Sequence, residues 1–381
     1  MNSVTLRYPG QLSFGTGCLR NFVQDIIERR FQKVFVVTFE EIFPALQEHF
    51  DKLKREGISV STDISIVSEP TYSSFKKVWE AAEEIQPDCV AGIGGGSTLD
   101  VAKLVAAQLG NTQSLKEIIG IGNLNGRKTS LACLPTTAGT GSEVSPNAIL
   151  LDESDQLKKG VVSPFLVPDA SYVDPLLTIT VPPQVTAATG LDALTHCIEA
   201  YANKFAHPVV DVYALEGVRL ISANLVRAVK NGDDISAREK MALGSLYGGM
   251  CLGPVNTAAV HALSYPLGGE FHVAHGISNA VLLPDIINFN LQAAPDRYKN
   301  IARALGIQYT GDTEEIARAG VEKIRELMAS TGIPMRLSEL NIPRDAIPRM
   351  AAAALKVTRL LKNNVREIAL RDAIEIYEAA Y

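Results

Sequence analysis

The sequence has no run of Lys and Arg, and its formal net charge is −6, which argues against nucleic acid or an anionic membrane as the main partner. Its five cysteines, at positions 18, 89, 133, 197 and 251, form no Cys-x-x-Cys pair. Their odd number suits a reducing compartment better than a disulfide framework. The opening residues, Met1-Asn-Ser-Val-Thr-Leu-Arg7, lack the apolar core of a signal peptide, so a cytoplasmic location is expected. There are no internal repeats and no low-complexity tracts. Residues 241–269 contain no Asp, Glu, Lys or Arg, but they include six glycines, Pro254, Pro266, Asn256 and His261. That makes a poor bilayer span, and a buried helix beside a functional cavity is expected instead.

With 381 residues, 46% of them hydrophobic and 20% charged, the chain can hold two domains with separate cores. Residues 1–17 read as an extended arm with turns at Pro9-Gly10 and Gly15-Thr-Gly17. Apolar runs predict strands over 33–38, 60–67 and 130–134, and helical spacing predicts helices over 42–55 and 73–85. The alternation argues for a parallel sheet covered by helices on both faces, with a nucleotide beyond the carboxyl ends of the strands. From Pro182-Pro183 onward the pattern is helical, with a loop at 231–234 and a helix beginning at Thr313 that stops near Gly332.

Three stretches carry chemistry. In residues 89–103 an apolar run passes through Gly94, Gly95 and Gly96 into a helix whose Leu99, Ala102, Val105 and Ala106 share a face. Glycines there let the backbone approach a ligand, and the helix N-terminus favours a phosphate. Ser97 and Asp100 stand as N-cap and N3 of a capping box, which needs no ligand at all. The second stretch, Pro135-Thr-Thr-Ala-Gly-Thr-Gly-Ser-Glu143, is rich in glycine and hydroxyl groups and reads as either a cofactor-facing wall or a self-bonded turn. In the third, Asp192 and His196 lie four apart, so a helix puts both on one face. With His261, His272 and His275 they offer one carboxylate and several imidazoles, a donor set for divalent iron or zinc. A surface hydrogen bond or a cap at the first pair, and satisfied core histidines at 261 and 275, are the alternative.

Taken together, Gly94-Gly-Gly-Ser-Thr-Leu-Asp-Val-Ala-Lys103, the 135–143 loop, Gly190-Leu-Asp-Ala-Leu-Thr-His196 and the run from His261 to Gly276 resemble the iron-containing, group III alcohol dehydrogenase family. The motifs occur in family order over nearly the whole chain. The resemblance implies a dehydroquinate synthase-like architecture: an α/β dinucleotide-binding domain over 1–181 and a helical metal-binding domain over 182–381, with the cofactor in the cleft between them. It implies that Asp192, His196, His261 and His275 hold the metal, Fe2+ or alternatively Zn2+. Gly94, Gly95, Gly96, Ser97 and Asp100 match the pyrophosphate loop, and Thr136, Thr137, Thr140 and Ser142 match cofactor contacts. Lys158, Leu177 and Thr180 fall near further cofactor-lining positions. Phe39 stands where many members carry a ribose-binding Asp, and the adjacent Glu40, with no Lys or Arg in the turn, favours NAD over NADP. His272 matches no ligand and is a candidate proton relay. Tyr265 replaces a histidine found in one branch.

The implied activity is metal-dependent hydride transfer between NAD(P) and a primary or secondary alcohol and its aldehyde or ketone, by a homodimer or higher homo-oligomer. Exchange between hydroxy and oxo acids, glycerol dehydrogenase-like polyol oxidation and a non-catalytic nucleotide-binding module are the alternatives.

Overall fold

A computed structural model describes residues 3–154 and 157–381. Met1 and Asn2, the start of the expected arm, lie outside the described residues, as do Asp155 and Gln156. The strands are β1 (Gln11–Phe14), β2 (Lys33–Val37), β3 (Ser59–Asp63), β4 (Cys89–Gly94), β5 (Gly120–Ile121), β6 (Ser130–Pro135), β7 (Asn147–Asp152), β8 (Leu157–Val162) and β9 (Ala170–Val173). Six of them form one parallel sheet in the order β1-β9-β6-β4-β2-β3; the other three form a small sheet, β5-β8-β7. Helices α1 (Leu19–Glu28), α2 (Phe43–Arg55), α3 (Tyr72–Ile85), α4 (Gly96–Gln108) and the single turn α5 (Leu115–Ile118) complete this part.

The period of two along β2 explains the layering. Val34 and Val36 pack with α1 and α2, while Phe35 and Val37 point to the face covered by α3 and α4. Both faces are buried, as a doubly wound sheet requires. After β2 the chain adds β3 on one side, then returns to place β4 on the other. The strand order therefore reverses between the carboxyl ends of β2 and β4, the crevice where such sheets take ligands.

The rest is α6 (Pro183–Tyr201), α7 (Pro208–Lys230), α8 (Ile235–Leu252), α9 (Ala259–Phe271), α10 (His275–Asn290), α11 (Pro295–Ala304), α12 (Thr313–Ser330), α13 (Ile347–Ala354), α14 (Thr358–Leu361) and α15 (Leu370–Ala379). These pack around one apolar core of their own. Backbone proximity divides the chain into two compact units. One is Arg7–Thr137 with Gly141–Thr180; the other takes Val181–Tyr381, Ala138–Thr140 and the segment ending at Leu6.

Several expectations need correction. Within the expected N-terminal arm, residues 11–14 are an edge strand paired in register with β9, from Gln11↔Ala170 to Phe14↔Val173. The strand expected over 60–67 stops at Asp63, whose carboxylate accepts from Ser65 N at 2.9 Å and closes an Asx turn, leaving Val67 87% exposed. The uncharged stretch 241–269 is not one helix. It breaks after Leu252 at Gly253-Pro254, since proline cannot supply the next N–H, and resumes at Ala259. Helix α4 shows no single apolar face, because from Thr98 to Gln108 every residue but Asp100 is buried.

Candidate active site

Gly95, not Ser97, is the N-cap of α4, and no side chain caps that end. The expected capping box is absent. Asp100 instead accepts from Ser142 Oγ at 2.5 Å and from Ile149 N at 2.9 Å, tying α4 to the second loop and to β7. The glycines have different reasons to be there. A Cβ at Gly94 would stand 2.6 Å from the Thr98 Cβ, so Gly94 lets α4 pack against its own strand. A Cβ at Gly95 would meet nothing nearer than Thr137 Cγ2 at 3.6 Å, so space is open beside the first N–H groups of α4.

Because Gly94 pairs in register with Pro135, the loops that follow β4 and β6 leave the same end of the sheet side by side. Thr136 N donates to the Gly94 carbonyl at 2.9 Å. Behind them Lys103 is fully buried, its Nζ donating to the carbonyls of Ser145 (2.8 Å) and Asn147 (2.9 Å). Burial pushes the Lys103 ammonium down against the opposing charges of Asp100 and Glu143. Burial also pushes Glu143 up to about 7, against a backbone hydrogen bond and the Lys103 charge.

Phe39 is extended at the carboxyl end of β2 and packs on the core toward α1 and α2, with Glu40 exposed beside it. Leu177 is buried in that same core, Thr180 is exposed, and Lys158 pairs with Glu69 Oε1 at 2.5 Å.

In the helical unit the acidic and imidazole groups converge. Asp192 and His196 lie on one face of α6, His261 in the first turn of α9, and His275 at the first position of α10. The approach is close because Gly276 has no side chain: a Cβ there would stand 2.2 Å from the Ala188 carbonyl oxygen of α6. Asp192 Oδ1 lies 3.8 Å from His196 Nε2, 3.6 Å from His261 Nε2 and 3.6 Å from His275 Nε2. The donors of Asp192, His261 and His275 all fall within 4.8 Å of one another, and His196 joins them by stacking on His261 with ring centroids 4.8 Å apart. Bonds of about 2.1 Å in a tetrahedral shell would space donors about 3.4 Å apart, so the residues fit a divalent ion. His275 keeps 35% side-chain exposure, which leaves one side of the cluster open.

The surrounding groups fix the rings. Glu199 is buried; Oε2 lies 2.5 Å from His261 Nδ1, and Oε1 accepts Val260 N at 2.6 Å. With Nδ1–H donated to Glu199, His261 turns Nε2 toward Asp192, the nitrogen that would ligate an ion once it has lost its proton. His196 Nδ1 lies 3.3 Å from the Gly139 carbonyl, which orients that ring the same way. Burial would raise Asp192, but the charges of His196 and His275 outweigh it and hold its carboxyl well below the usual carboxylate range. Burial would lower His261, yet Glu199 and Asp192 hold it at about 10. Burial, with His261 adding to it, holds His196 below its usual value despite Asp192.

His272 stands outside this cluster. It is exposed and ends α9 in a left-handed conformation at φ 55°. Two contributors escaped the sequence reading: Glu199, and Asn279, whose Nδ2 donates to Asp192 Oδ1 at 2.7 Å and lies 3.1 and 3.2 Å from the Nε2 atoms of His261 and His275. Their signals were weak but present, since Glu199 is seven residues after Asp192 and Asn279 four after His275.

Known proteins match both halves of the chain. A model of iron-containing alcohol dehydrogenase matches residues 9–175, and one of the C-terminal part of the Fe-containing alcohol dehydrogenase family matches residues 186–381. Long-chain-alcohol dehydrogenase 1 of Geobacillus thermodenitrificans (strain NG80-2) is 37% identical over 391 residues, covering 100% of this chain and 98% of the relative. The crystal structure of a 1,3-propanediol oxidoreductase superposes with TM-score 0.96 at 32% identity, covering 100% of both chains. That of sulfoacetaldehyde reductase from Bifidobacterium kashiwanohense in complex with NAD+ gives 0.90 at 25% identity, covering 100% of this chain and 99% of the other. A doubly wound sheet of dinucleotide-binding type beside a helical unit, with relatives named alcohol dehydrogenases and oxidoreductases, defines an oxidoreductase of alcohols and carbonyl compounds. The chain belongs to the iron-containing alcohol dehydrogenase family.

Proposed function

We propose that this enzyme interconverts a small-molecule alcohol and its aldehyde or ketone with NAD as hydride carrier, using a divalent ion, Fe2+ or alternatively Zn2+, held by Asp192, His196, His261 and His275. The observation that carries this reading is the convergence of three imidazole Nε2 atoms on one buried carboxylate oxygen at 3.6–3.8 Å. When bound, the ion supplies Lewis acidity that lowers the pKa of an alcohol and polarises a carbonyl. Asp192 contributes the negative charge that tightens binding, while Glu199 and the Gly139 carbonyl hold two of the rings in the ligating tautomer.

On the sheet unit, the open N-terminus of α4 at Gly95, Gly96 and Ser97 receives the pyrophosphate, flanked by Thr136 and Thr137. Gly94 and the Asp100–Ser142 hydrogen bond position that loop. Thr140, Lys158, Leu177 and Thr180 are the further cofactor-binding residues of this reading. The exposed carboxylate of Glu40 beside Phe39 disfavours a 2′-phosphate, which selects NAD over NADP. His272 keeps the proton-relay role that an exposed imidazole permits.

The same reading sets the domain boundary at 181/182. It puts the enzyme in the cytoplasm, where five buried free cysteines stay reduced, as a homodimer or higher homo-oligomer. Among the described residues no helix is long and apolar enough to cross a membrane.

Anaerobic purification with metal analysis, then kcat/KM for NADH and NADPH, tests the reading. It expects one divalent ion per chain, NADH preferred, and neither metal nor turnover in Asp192→Ala. Full activity of a metal-free Asp192→Ala variant would refute the metal role, and a strong NADPH preference the cofactor choice.

A further inference from the structure

Helix α9 carries Tyr265 one turn after His261. Residues four apart share a helix face with Cβ atoms about 6 Å from one another, so the Tyr265 side chain leaves the helix on the side of the Asp192 cluster. Its hydroxyl accepts from Arg359 Nη2 at 2.7 Å, and the guanidinium carbon lies 5.8 Å from the centroid of the Tyr265 ring. Arg359 is half-buried on α14, yet among the described residues no carboxylate lies within 4.0 Å of it. Other half-buried arginines of this unit are ion-paired, Arg297 with Asp211 at 3.0 Å and Arg325 with Asp285 at 2.7 Å. Arg359 has a phenol hydroxyl where they have a carboxylate, and a guanidinium keeps donors in its planar fork after bonding that hydroxyl.

The surrounding segment has the same bias. Residues 356–366 include Lys356, Arg359, Lys362 and Arg366 and no acidic residue, in a chain whose net charge is −6. Of these, Arg366 is engaged elsewhere, donating to the Phe289 carbonyl at 2.9 Å and lying 3.9 Å from the Phe289 ring centroid. The segment is also fixed against the start of α9. Asn363 Nδ2 donates to the Thr257 carbonyl at 2.7 Å, two residues before the helix, and Lys204 N donates to the Asn363 carbonyl at 2.9 Å. Asn364 and Asn290 exchange side-chain hydrogen bonds at 2.8 Å, which secures it to α10 as well. A fixed arginine therefore stands beside the helix that carries His261, with no anion of the described protein to satisfy it.

We propose that Arg359, oriented by the Tyr265 hydroxyl, selects substrates that carry an anionic group, so that the alcohols and carbonyl compounds this enzyme turns over are short hydroxy acids and their oxo-acid counterparts. The proposal rests on reading the Asp192 cluster as the reaction centre. A carboxylate on the guanidinium would direct the far end of a short chain toward the face of α9 that carries His261. Tyr265 contributes by holding the fork in place, and Arg359 supplies the charge.

The test compares 4-hydroxybutanoate with 1-butanol, at equal NAD and metal loading, in the wild-type holoenzyme, Arg359→Met and Arg359→Lys. The wild type should favour the acid in kcat/KM. In Arg359→Met the acid-to-alcohol ratio should fall about 10- to 100-fold, the worth of a hydrogen bond to a charged group, mostly through KM. Arg359→Lys should recover part of that ratio, since it keeps the charge and loses the fork. Using the ratio removes any general loss of folded enzyme from the comparison. Turnover of 1-butanol without preference for the acid, or an equal loss on both substrates in Arg359→Met, overturns the proposal and leaves the alcohol dehydrogenase reading standing. Failure of the loaded wild type on both compounds and on a wider alcohol panel overturns that reading and the proposal with it.

Discussion

Replacing Glu199 with Gln should weaken metal binding although Glu199 is not itself a proposed ligand. The carboxylate satisfies two buried donors, His261 Nδ1–H at 2.5 Å and Val260 N–H at 2.6 Å. A glutamine amide has one oxygen for these two demands. If that oxygen keeps the Val260 N–H, the amide NH2 faces Nδ1 and donates to it. The ring proton then moves to Nε2, the atom aimed at Asp192, and its lone pair is lost to an ion. If the amide turns the other way, the His261 tautomer survives but the Val260 N–H is buried without an acceptor, at about 1–3 kcal/mol. Either outcome is measurable. Metal affinity should drop about 10- to 100-fold, as for other partners that orient ligating imidazoles, or the metal-free protein should lose about 1–3 kcal/mol of stability. Competition with a chromogenic chelator reads the first, and urea unfolding of the metal-free protein reads the second. A Glu199→Gln protein with wild-type affinity and wild-type stability would refute the tautomer argument.

Two further substitutions separate packing from ligand approach. Gly94→Ala puts a methyl group 2.6 Å from the Thr98 Cβ and should cost about 1–3 kcal/mol of stability by overpacking, seen as a lower Tm. Gly95→Ala meets nothing within 3.6 Å and should change stability by less than about 0.5 kcal/mol, yet raise KM for NAD about ten-fold by crowding the N–H groups of α4. The opposite pattern would reverse the two assignments. Glu143 gives a pH signature. Its folded pKa, about 7, lies above the ordinary glutamate value of about 4.5, so the stability it contributes is full below about 4.5 and is lost as pH rises through 7. That is about 3 kcal/mol by pH 8. Glu143→Gln should therefore gain stability over the wild type between pH 5 and pH 8 in urea titrations, and parallel curves would count against a buried, proton-holding Glu143.

The sequence by itself determined the elements and much of the donor set. The apolar run in residues 33–38 and the glycines at 94–96 located a strand and a strand-to-helix turn, because these signals depend only on neighbours along the chain. The spacing of Asp192 and His196 set both on one face of α6 for the same reason. Tertiary structure decided what spacing could not encode. Residues 11–14 are a strand because β9, some 160 residues later, supplies the ladder. Asp100 bonds Ser142 and not the end of its own helix because β7 and the second loop fold over α4. His261 and His275 meet Asp192 only because α9 and α10 pack on α6, and Gly276 lets them come close enough. Glu199 acquired its partner 62 residues away, and Arg359 met Tyr265 across 94. Local pattern fixes which face a side chain occupies; only the packing of distant segments decides what stands opposite it.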